Sequence, residues 1–247
     1  MKTSPPLVMI HGLMGSLHFF SPTTHISAAT VHTPDLPGYG KQPAHAPLTL
    51  EGQAQAVLDY LRGHIDEPCW LLGHSVGGAV TMLAAAAAPE RVRGIISVEG
   101  NFTLNDAFWC SKIAAMDEPT WHAEHQRMLD DPVSWLRNGG INPNPQRVEW
   151  ARAILRNQSA STLQSMARAV VRETGSPEYL HKVRAVVESG VPLCLLAGER
   201  SASGWDVPNW VRRAAATDAI QPAVGHMMML EEPEAFCRIV DSMIVGR

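Results

Sequence analysis

A serine held between glycines is the feature of this sequence that most directly suggests chemistry. Ser75 lies in the stretch GHSVGG, where Gly73 and Gly77 complete a G-x-S-x-G pattern. A nucleophilic serine on a sharp turn between a strand and a helix needs small neighbours, because the strained backbone and the following helix come close together. An apolar run precedes the pattern and VGGAVTMLAAAAA follows it as a helix, so we predict a nucleophile and not merely a small residue in a tight turn.

Backbone N–H groups near this serine could stabilise an oxyanion. The predicted turn places Ser75 at the N-terminus of a helix, where unpaired N–H groups and the helix dipole favour negative charge. Val76 would donate one of these N–H groups. A second donor is expected from the loop after an earlier strand. VMIHGLMGS ends a strand and enters a turn that Gly12 permits, so Leu13 is the candidate, with Met14 behind it.

Strands and helices that alternate along the chain are needed to bring such residues together. Short apolar runs bounded by turn residues alternate with longer helical patterns, as expected for parallel strands joined by crossover helices. The predicted fold class is therefore α/β. The predicted strands are 6–11, 30–36, 69–75, 92–99, 192–199 and 219–225. The predicted helices lie near 50–63, 76–88, 208–217 and 231–245.

A helical insertion interrupts this alternation. Residues 100–186 are helical in composition and contain no convincing strand. We predict that they form a cap inserted into a core made of residues 1–99 and 187–247. Most of the four tryptophans of this segment are expected to fill its interior, and one or two to line a pocket. They are Trp109, Trp121, Trp135 and Trp150.

The ordered motifs of the chain resemble the α/β-hydrolase family. IHGLMGS, DLPGYGKQP, GHSVGG, PERVRGII and GHMMMLEEPEAF stand in family order and at family-like spacings. The resemblance implies a mostly parallel sheet flanked by helices, with the site at the carboxyl ends of the strands and a cap above it. The chain opens directly on the strand before His11 and Gly12, so the N-terminal strand pair usual in the family is expected to be missing.

His226 is the histidine expected to activate the serine. A serine hydroxyl is a weak nucleophile near neutral pH and needs an imidazole that takes its proton and later returns it to the leaving group. His226 follows a predicted strand and precedes a glutamate-rich helix start, and the family order of serine, acid and histidine places it last. His11 falls in the predicted oxyanion loop, and His74 adjoins the serine but is expected to point elsewhere.

The acidic partner of His226 has three candidates. The commonest family pattern places an aspartate after the strand that follows the cap, where this chain has Ser201 in LAGERS. Glu99 ends the strand before the cap in PERVRGIISVEGN, a segment that resembles haloalkane dehalogenases and related coelenterazine luciferases, whose acid is a glutamate there. A carboxylate at either strand end can orient the imidazole. We predict Glu99, with Asp206 and Glu199 as alternatives.

Composition and charge argue against several other classes of protein. The net charge of -4 and the scattered Lys and Arg leave no basic stripe for nucleic acid or an anionic membrane surface. Four cysteines without a CxxC spacing favour a reducing compartment, and the N-terminus resembles neither a signal peptide nor a membrane span. We expect a cytoplasmic protein that acts on a small molecule. Without a metal cluster, phosphate loop or dinucleotide fingerprint, we expect no metal and no cofactor.

A serine hydrolase is the predicted function. The expected substrate is an ester or thioester of a small to medium, partly hydrophobic molecule, because an apolar and aromatic cap would desolvate the site. Dehalogenases have an aspartate in place of Ser75, so dehalogenation is not predicted. The alternatives are a C–C bond hydrolase, a lyase resembling menaquinone-pathway synthases, and a non-catalytic ligand receptor. The lyase would need inward-pointing arginines, whereas those of the cap are expected to face solvent: Arg127, Arg137, Arg147, Arg152, Arg156, Arg168 and Arg172.

Overall fold

A parallel sheet carries the whole fold. The computed structural model of the chain describes residues 4–44 and 47–246, so residues 1–3, 45–46 and 247 of the predicted core lie outside the described residues. Its strands are β1 (Pro6–Ile10), β2 (Thr30–His32), β3 (Cys69–His74), β4 (Val92–Val98), β5 (Leu193–Gly198) and β6 (Thr217–Gln221). They pair in parallel in the order β2-β1-β3-β4-β5-β6. The predicted α/β class is confirmed.

α-Helices connect the strands and supply most of the remaining regular structure of the described residues. They are α1 (Leu50–His64), α2 (Val76–Ala87), α3 (Phe108–Ala115), α4 (Glu118–Asp130), α5 (Pro132–Asn138), α6 (Pro145–Arg156), α7 (Ala160–Thr174), α8 (Pro177–Glu188), α9 (Asn209–Ala214), α10 (Met228–Glu231) and α11 (Pro233–Val245). None of these helices has the length and hydropathy needed to span a membrane.

Burial along the strands follows their place in the sheet. The inner strands β1, β3 and β5 are buried along their whole length, which explains why their sequences read as continuous apolar runs. The edge strands β2 and β6 alternate or are partly exposed. Because all six strands are parallel, their carboxyl ends meet at one edge of the sheet, and the loops that leave this edge carry the predicted site residues.

The second strand is shorter than the predicted 30–36. It ends at His32, because Pro34 has no N–H group to donate to a neighbouring strand. The N–H group of Leu36 donates instead to His11 Nε2 at 3.1 Å. The segment after β2 is therefore a loop that supports the loop after β1.

The last strand was predicted at 219–225. In the structure it begins two residues earlier, at Thr217, and ends at Gln221. Pro222 follows it, and Ala223 adopts a left-handed φ of 60°, so the chain turns at once. This turn brings His226 back over the carboxyl edge of the sheet.

The segment between β4 and β5 is helical throughout its regular elements, from α3 to α8. Its last helix, α8, packs against α2 and α9 of the predicted core. The predicted boundary at residue 186 consequently falls inside a helix that runs to Glu188. The division into a core and an inserted cap remains a prediction, and this packing favours a boundary before α8.

Candidate active site

Ser75 occupies the turn between β3 and α2. It is the residue before the first turn of α2, and its backbone has φ 53° and ψ −123°, a conformation that residues with a side chain rarely adopt. Strain of this kind persists only where the surrounding structure holds it, and it clusters at functional sites. The N–H group of Val76, the next residue, stands in the first turn of α2, where no intrahelical acceptor exists.

The glycines around Ser75 are required by close backbone contacts. A Cβ atom on Gly77 would overlap the carbonyl oxygens of Ile10 and His11, at the end of β1. A Cβ atom on Gly73 would overlap the carbonyl oxygen of Gly77. The G-x-S-x-G spacing therefore reflects how tightly α2 approaches the strands that precede it.

His226 and Glu99 form a close hydrogen-bonded pair. His226 Nδ1 lies 2.6 Å from Glu99 Oε2. Glu99 is 6% exposed and directly follows β4, where a left-handed φ of 42° ends the strand and turns the residue out of the sheet. The imidazole is more open, with 42% of its side chain exposed. Ser75, His226 and Glu99 line the same cavity.

Two donors from the end of β5 hold the second oxygen of Glu99. The N–H group of Gly198 donates to Oε1 at 2.8 Å, and the hydroxyl of Ser201 donates to the same atom at 2.5 Å. Burial alone would raise the pKa of Glu99, but the hydrogen bond and charge of His226 together with these two donors outweigh it, so the pKa is lowered. The carboxylate is thus kept ionised beside the imidazole.

The other two candidate acids have different partners. Asp206 accepts hydrogen bonds from Thr103 Oγ1 at 2.7 Å and Asn105 Nδ2 at 2.9 Å, in the loop after β4. Glu199 is exposed, and its Oε2 accepts from the N–H group of Ala223 at 2.7 Å. The structure therefore brings Glu99, and neither alternative, to the ring of His226.

The loop after β1 carries Leu13 and is fixed by several contacts. Leu13 is buried, and its carbonyl oxygen accepts a hydrogen bond from Tyr39 Oη at 2.9 Å. The N–H group of Gly15 donates to Gln158 Oε1 at 2.9 Å, which ties this loop to the connection between α6 and α7. His11 donates from Nδ1 to the carbonyl oxygen of Gly12 at 2.9 Å, and burial lowers its pKa. It is a neutral structural histidine of this loop.

His74 supports the backbone of His226. Its Nε2 donates to the carbonyl oxygen of His226 at 3.0 Å, and the two rings lie 4.6 Å apart between centroids. Burial, followed by the charge of His226, lowers the pKa of His74 to about 3. A neutral imidazole at this position keeps its Nε2 proton for the carbonyl. The hydrogen-bonding group of His74 is therefore engaged with the backbone of His226.

Two cavities meet at Ser75. The small cavity has a volume of about 420 Å³ and is lined mainly by apolar groups, among them Ala107, Cys110 and Trp205. The large cavity has a volume of about 880 Å³ and opens among charged residues that include Lys112 and Asp130. Leu13, Ser75, Phe108, Trp109 and His226 line both cavities.

The tryptophans of the predicted cap divide between packing and the cavities. Trp121 is buried and donates from Nε1 to the carbonyl oxygen of Ala160 at 2.7 Å, while Trp150 packs edge-on against Phe19. Trp109 lines both cavities and Trp135 lines the large one. The site thus has aromatic walls contributed by α3 and α5.

Comparison with known proteins identifies the family. A profile described as the alpha/beta hydrolase family matches residues 7–239, which is most of the chain. The chain belongs to the alpha/beta hydrolase family. The solved structure of a thermophilic esterase from Thermogutta terrifontis superimposes on it with a TM-score of 0.73 at 17% identity, covering 99% of this chain and 90% of that one.

Curated relatives of this alpha/beta hydrolase include esterases and lipases. The pimeloyl-[acyl-carrier protein] methyl ester esterase of Yersinia enterocolitica is 25% identical over 221 residues, which are 85% of this chain and 81% of that protein. Lipase LipV of Mycobacterium tuberculosis is 36% identical over 81 residues, or 33% of this chain. The chain spans about 31% of the length of that lipase, and 21% to 57% of the length of six further relatives.

The arginines of the helical segment between β4 and β5 are mostly turned to solvent, as predicted. Arg127 lines the large cavity, but it is paired with Glu124 at 3.1 Å. Arg147 is largely buried and contacts the main chain of Glu231 and not a cavity. The remaining five are exposed: Arg137, Arg152, Arg156, Arg168 and Arg172. This arrangement does not favour the lyase alternative, which needed arginines directed into the site.

Several residues around the site were missed by sequence reasoning. Ser201 carried a signal, because it stands where the family pattern has its aspartate, yet its role as a donor to Glu99 was not predicted. Asp106 lines the small cavity, and burial raises its pKa to about 6 despite three hydrogen bonds from the loop after β4. Arg200 lies in LAGERS and Glu231 in GHMMMLEEPEAF, but neither stretch indicated that the two residues pair, since 31 positions separate them and only the fold brings them together.

Proposed function

We propose that this chain is a serine hydrolase that cleaves esters or thioesters through an acyl-enzyme. One observation carries the proposal: Ser75 stands on a strained turn at a helix N-terminus and shares a cavity with a His226–Glu99 pair whose nearest atoms are 2.6 Å apart. Membership of the alpha/beta hydrolase family supports it. So does the similarity to proteins named as esterases and lipases.

In the proposed reaction Ser75 Oγ attacks the carbonyl carbon of the substrate. His226 Nε2 takes the hydroxyl proton and delivers it to the departing oxygen or sulfur, while Glu99 holds Nδ1 and stabilises the imidazolium. The N–H groups of Leu13 and Val76 donate to the oxyanion of the tetrahedral intermediate. A water molecule then attacks the acyl-enzyme by the same route, with His226 as its base, and the free acid leaves.

The two cavities suggest how the substrate lies. We assign the acyl group to the small cavity, because its walls are mainly apolar and it is bounded by Trp205. The alcohol or thiol goes to the large cavity, whose rim carries Lys112, Arg127 and Asp130 and can solvate a polar group. This assignment agrees with a small to medium, partly hydrophobic substrate.

The cellular setting is part of the same proposal. A cytoplasmic location is supported by four cysteines that are all buried and lie far apart in the sequence without a CxxC spacing, as expected in a reducing compartment. A small molecule is the proposed partner, since the residues around Ser75 enclose cavities of ligand size. The C–C hydrolase, lyase and receptor alternatives gain no specific support from the site.

Hydrolysis of p-nitrophenyl esters from acetate to long acyl chains tests the function. We expect activity with an optimum chain length set by the small cavity, and a loss of at least about 10⁴-fold in kcat for Ser75→Ala. Ser242→Ala, an exposed serine on α11, is the matched control and should retain full activity. Turnover by Ser75→Ala at the wild-type rate, or no ester turnover by any form, would contradict the proposal.

A further inference from the structure

An arginine and a buried glutamate meet behind the loop that carries His226. Arg200 follows β5 and Glu231 ends α10, and Arg200 Nη2 donates to Glu231 Oε1 at 2.9 Å and to Oε2 at 2.7 Å. The Glu231 side chain is only 9% exposed, whereas 42% of the Arg200 side chain is exposed. A buried carboxylate needs a positive partner and hydrogen bonds, so the position of Glu231 depends on what surrounds it.

The same two residues hold the backbone just before His226. Glu231 Oε1 accepts from the N–H group of Gly225 at 2.7 Å. The N–H group of Arg200 donates to the carbonyl oxygen of Val224 at 2.9 Å, and its guanidinium donates to that of Ala223. Residues 223–225 are therefore each fixed by Arg200 or Glu231, and His226 follows them directly.

Glu231 is also a contact point for the helical segment between β4 and β5. Arg147 on α6 donates from Nη2 to the carbonyl oxygen of Glu231 at 2.5 Å, and from Nη1 to that of Asn142 at 2.9 Å. Arg200 Nη2 donates to the carbonyl oxygen of Gly140 at 3.2 Å. The segment 140–147 is thus hydrogen-bonded at Arg147 to Glu231 and at Gly140 to Arg200, the two residues that hold the histidine loop.

We propose that Glu231 is a positioning residue: it links the packing of the segment 140–147 to the orientation of the His226 imidazole. Glu231 itself lines neither cavity, although its partner Arg200 lines the small one, and its contact with the histidine loop is the hydrogen bond from the N–H group of Gly225. The His226–Glu99 contact of 2.6 Å leaves little room for movement of the loop, because misplacement of a catalytic group by about 1 Å lowers rates by about a hundredfold. This inference rests on the proposed function of Ser75 and His226.

The test compares Glu231→Ala, Glu231→Gln and the control Glu234→Ala, an exposed glutamate on α11. Two rates are measured per folded molecule: kcat on p-nitrophenyl acetate, and the labelling of Ser75 by a small alkyl fluorophosphonate, in which the serine oxygen bonds to phosphorus and fluoride departs. We expect Glu231→Ala to slow both rates about tenfold to a hundredfold with KM nearly unchanged. Glu231→Gln should recover most of the loss, since its amide oxygen can still accept from Gly225, and Glu234→Ala should match the wild type.

A purely structural role would lower the melting temperature of Glu231→Ala without changing either rate per folded molecule, and that result overturns the proposal. If Glu231→Ala does not fold, Arg147→Met gives the test, because it removes a donor to Glu231 and leaves the histidine loop intact. Labelling at least about threefold slower is then required, and an unchanged rate overturns the proposal.

Hydrogen exchange separates this inference from the proposed function. If the wild type neither turns over esters nor is labelled at Ser75, the proposed function fails. The amide protons of residues 223–226 should still exchange several times faster in Glu231→Ala, or in Arg147→Met, than in the wild type. Unchanged exchange in this peptide shows that Glu231 does not hold the histidine loop.

Discussion

The loops that leave β4 and β5 make an informative comparison. The two strands are neighbours in the sheet, and both loops leave its carboxyl edge with carboxylates on them. Glu99, on the first loop, lies against the ring of His226, whereas Asp206, on the second, binds the side chains of Thr103 and Asn105. Carboxylates of the same charge therefore have different surroundings, although either could have been an acid on chemical grounds.

The two carboxylates differ in the hydrogen-bond donors that they receive from the opposite loop. Gly198, the last residue of β5, and Ser201, on the loop after it, both donate to one oxygen of Glu99, and the other oxygen is left for His226. The loop after β4 sends Thr103 to Asp206 in return. Each loop thus carries one of the two carboxylates and donates hydrogen bonds to the carboxylate of the other, so the choice of acid is made by the pair of loops and not by either carboxylate alone.

Exchanging each carboxylate for its amide tests the comparison most strongly. Glu99→Gln should lower kcat by about 10³-fold, because the imidazolium loses its countercharge and the wrong tautomer of His226 is favoured. Asp206→Asn should stay within about threefold of the wild type, since its partners are in the loop after β4. Steady-state hydrolysis of a p-nitrophenyl ester measures both. The reverse ranking would assign the acid to the loop after β5.

Removing the donor from the second loop should have the next largest effect. Ser201→Ala deletes the hydroxyl that accounts for part of the lowered pKa of Glu99, and we expect kcat to fall about tenfold. Because that pKa then rises, the carboxylate protonates earlier as the pH falls, and the acid limb of the pH–rate profile should move to higher pH. An acid limb in the same place would mean that the hydroxyl does not tune Glu99.

Replacing Asp206 should lower the stability of the protein although it leaves the activity almost unchanged. Asp206→Ala removes two hydrogen bonds to the loop after β4, at a partly exposed position, and we expect a loss of about 1 kcal/mol in the free energy of unfolding. Denaturant titration measures this loss. Thr103→Val should reproduce part of it. A variant as stable as the wild type would show that the contact between the two loops is not needed for folding.

The smallest expected effect concerns charge selection by Asp106, on the loop after β4. Its raised pKa of about 6 leaves it mostly anionic at pH 8, and it lines the small cavity assigned to the acyl group. Wild-type enzyme should therefore prefer p-nitrophenyl butyrate over the anionic mono-p-nitrophenyl glutarate, and Asp106→Asn should reduce that preference about threefold. The ratio of the two kcat/KM values at pH 8 is the measurement. An unchanged ratio would place the acyl group elsewhere.

Much of the fold followed from local sequence. The apolar runs of β1, β3, β4 and β5 predicted their strands to within one residue at each end, because inner parallel strands are buried on both faces, with Arg93 near the start of β4 as the exposed exception among these four strands. The ends of β2 and β6 were misplaced, since apolar residues continue beyond them while Pro34 and Pro222 interrupt the hydrogen bonding. Edge strands leave weaker patterns than buried ones.

The candidate site divides in the same way between local sequence and tertiary contact. Ser75 was predictable because its neighbours must be small wherever the chain makes this turn, and the five-residue G-x-S-x-G pattern already contains those small neighbours. The choice of Glu99 needed a resemblance, because the chemistry of a carboxylate beside a histidine is the same from either strand end. The catalytic roles of these residues stay predictions for the kinetic tests above.

What the sequence by itself determined is the set of local requirements: the parallel strands, the turn at Ser75 and the helical segment between β4 and β5. What only the tertiary structure decided is the pairing of groups far apart in the chain, such as Ser201 with Glu99 and Glu231 with Arg200. The physical reason is the range of the interactions. Steric limits on a turn act between neighbouring residues, whereas hydrogen bonds and ion pairs act across a few ångströms of space between residues that only the folded sheet brings together.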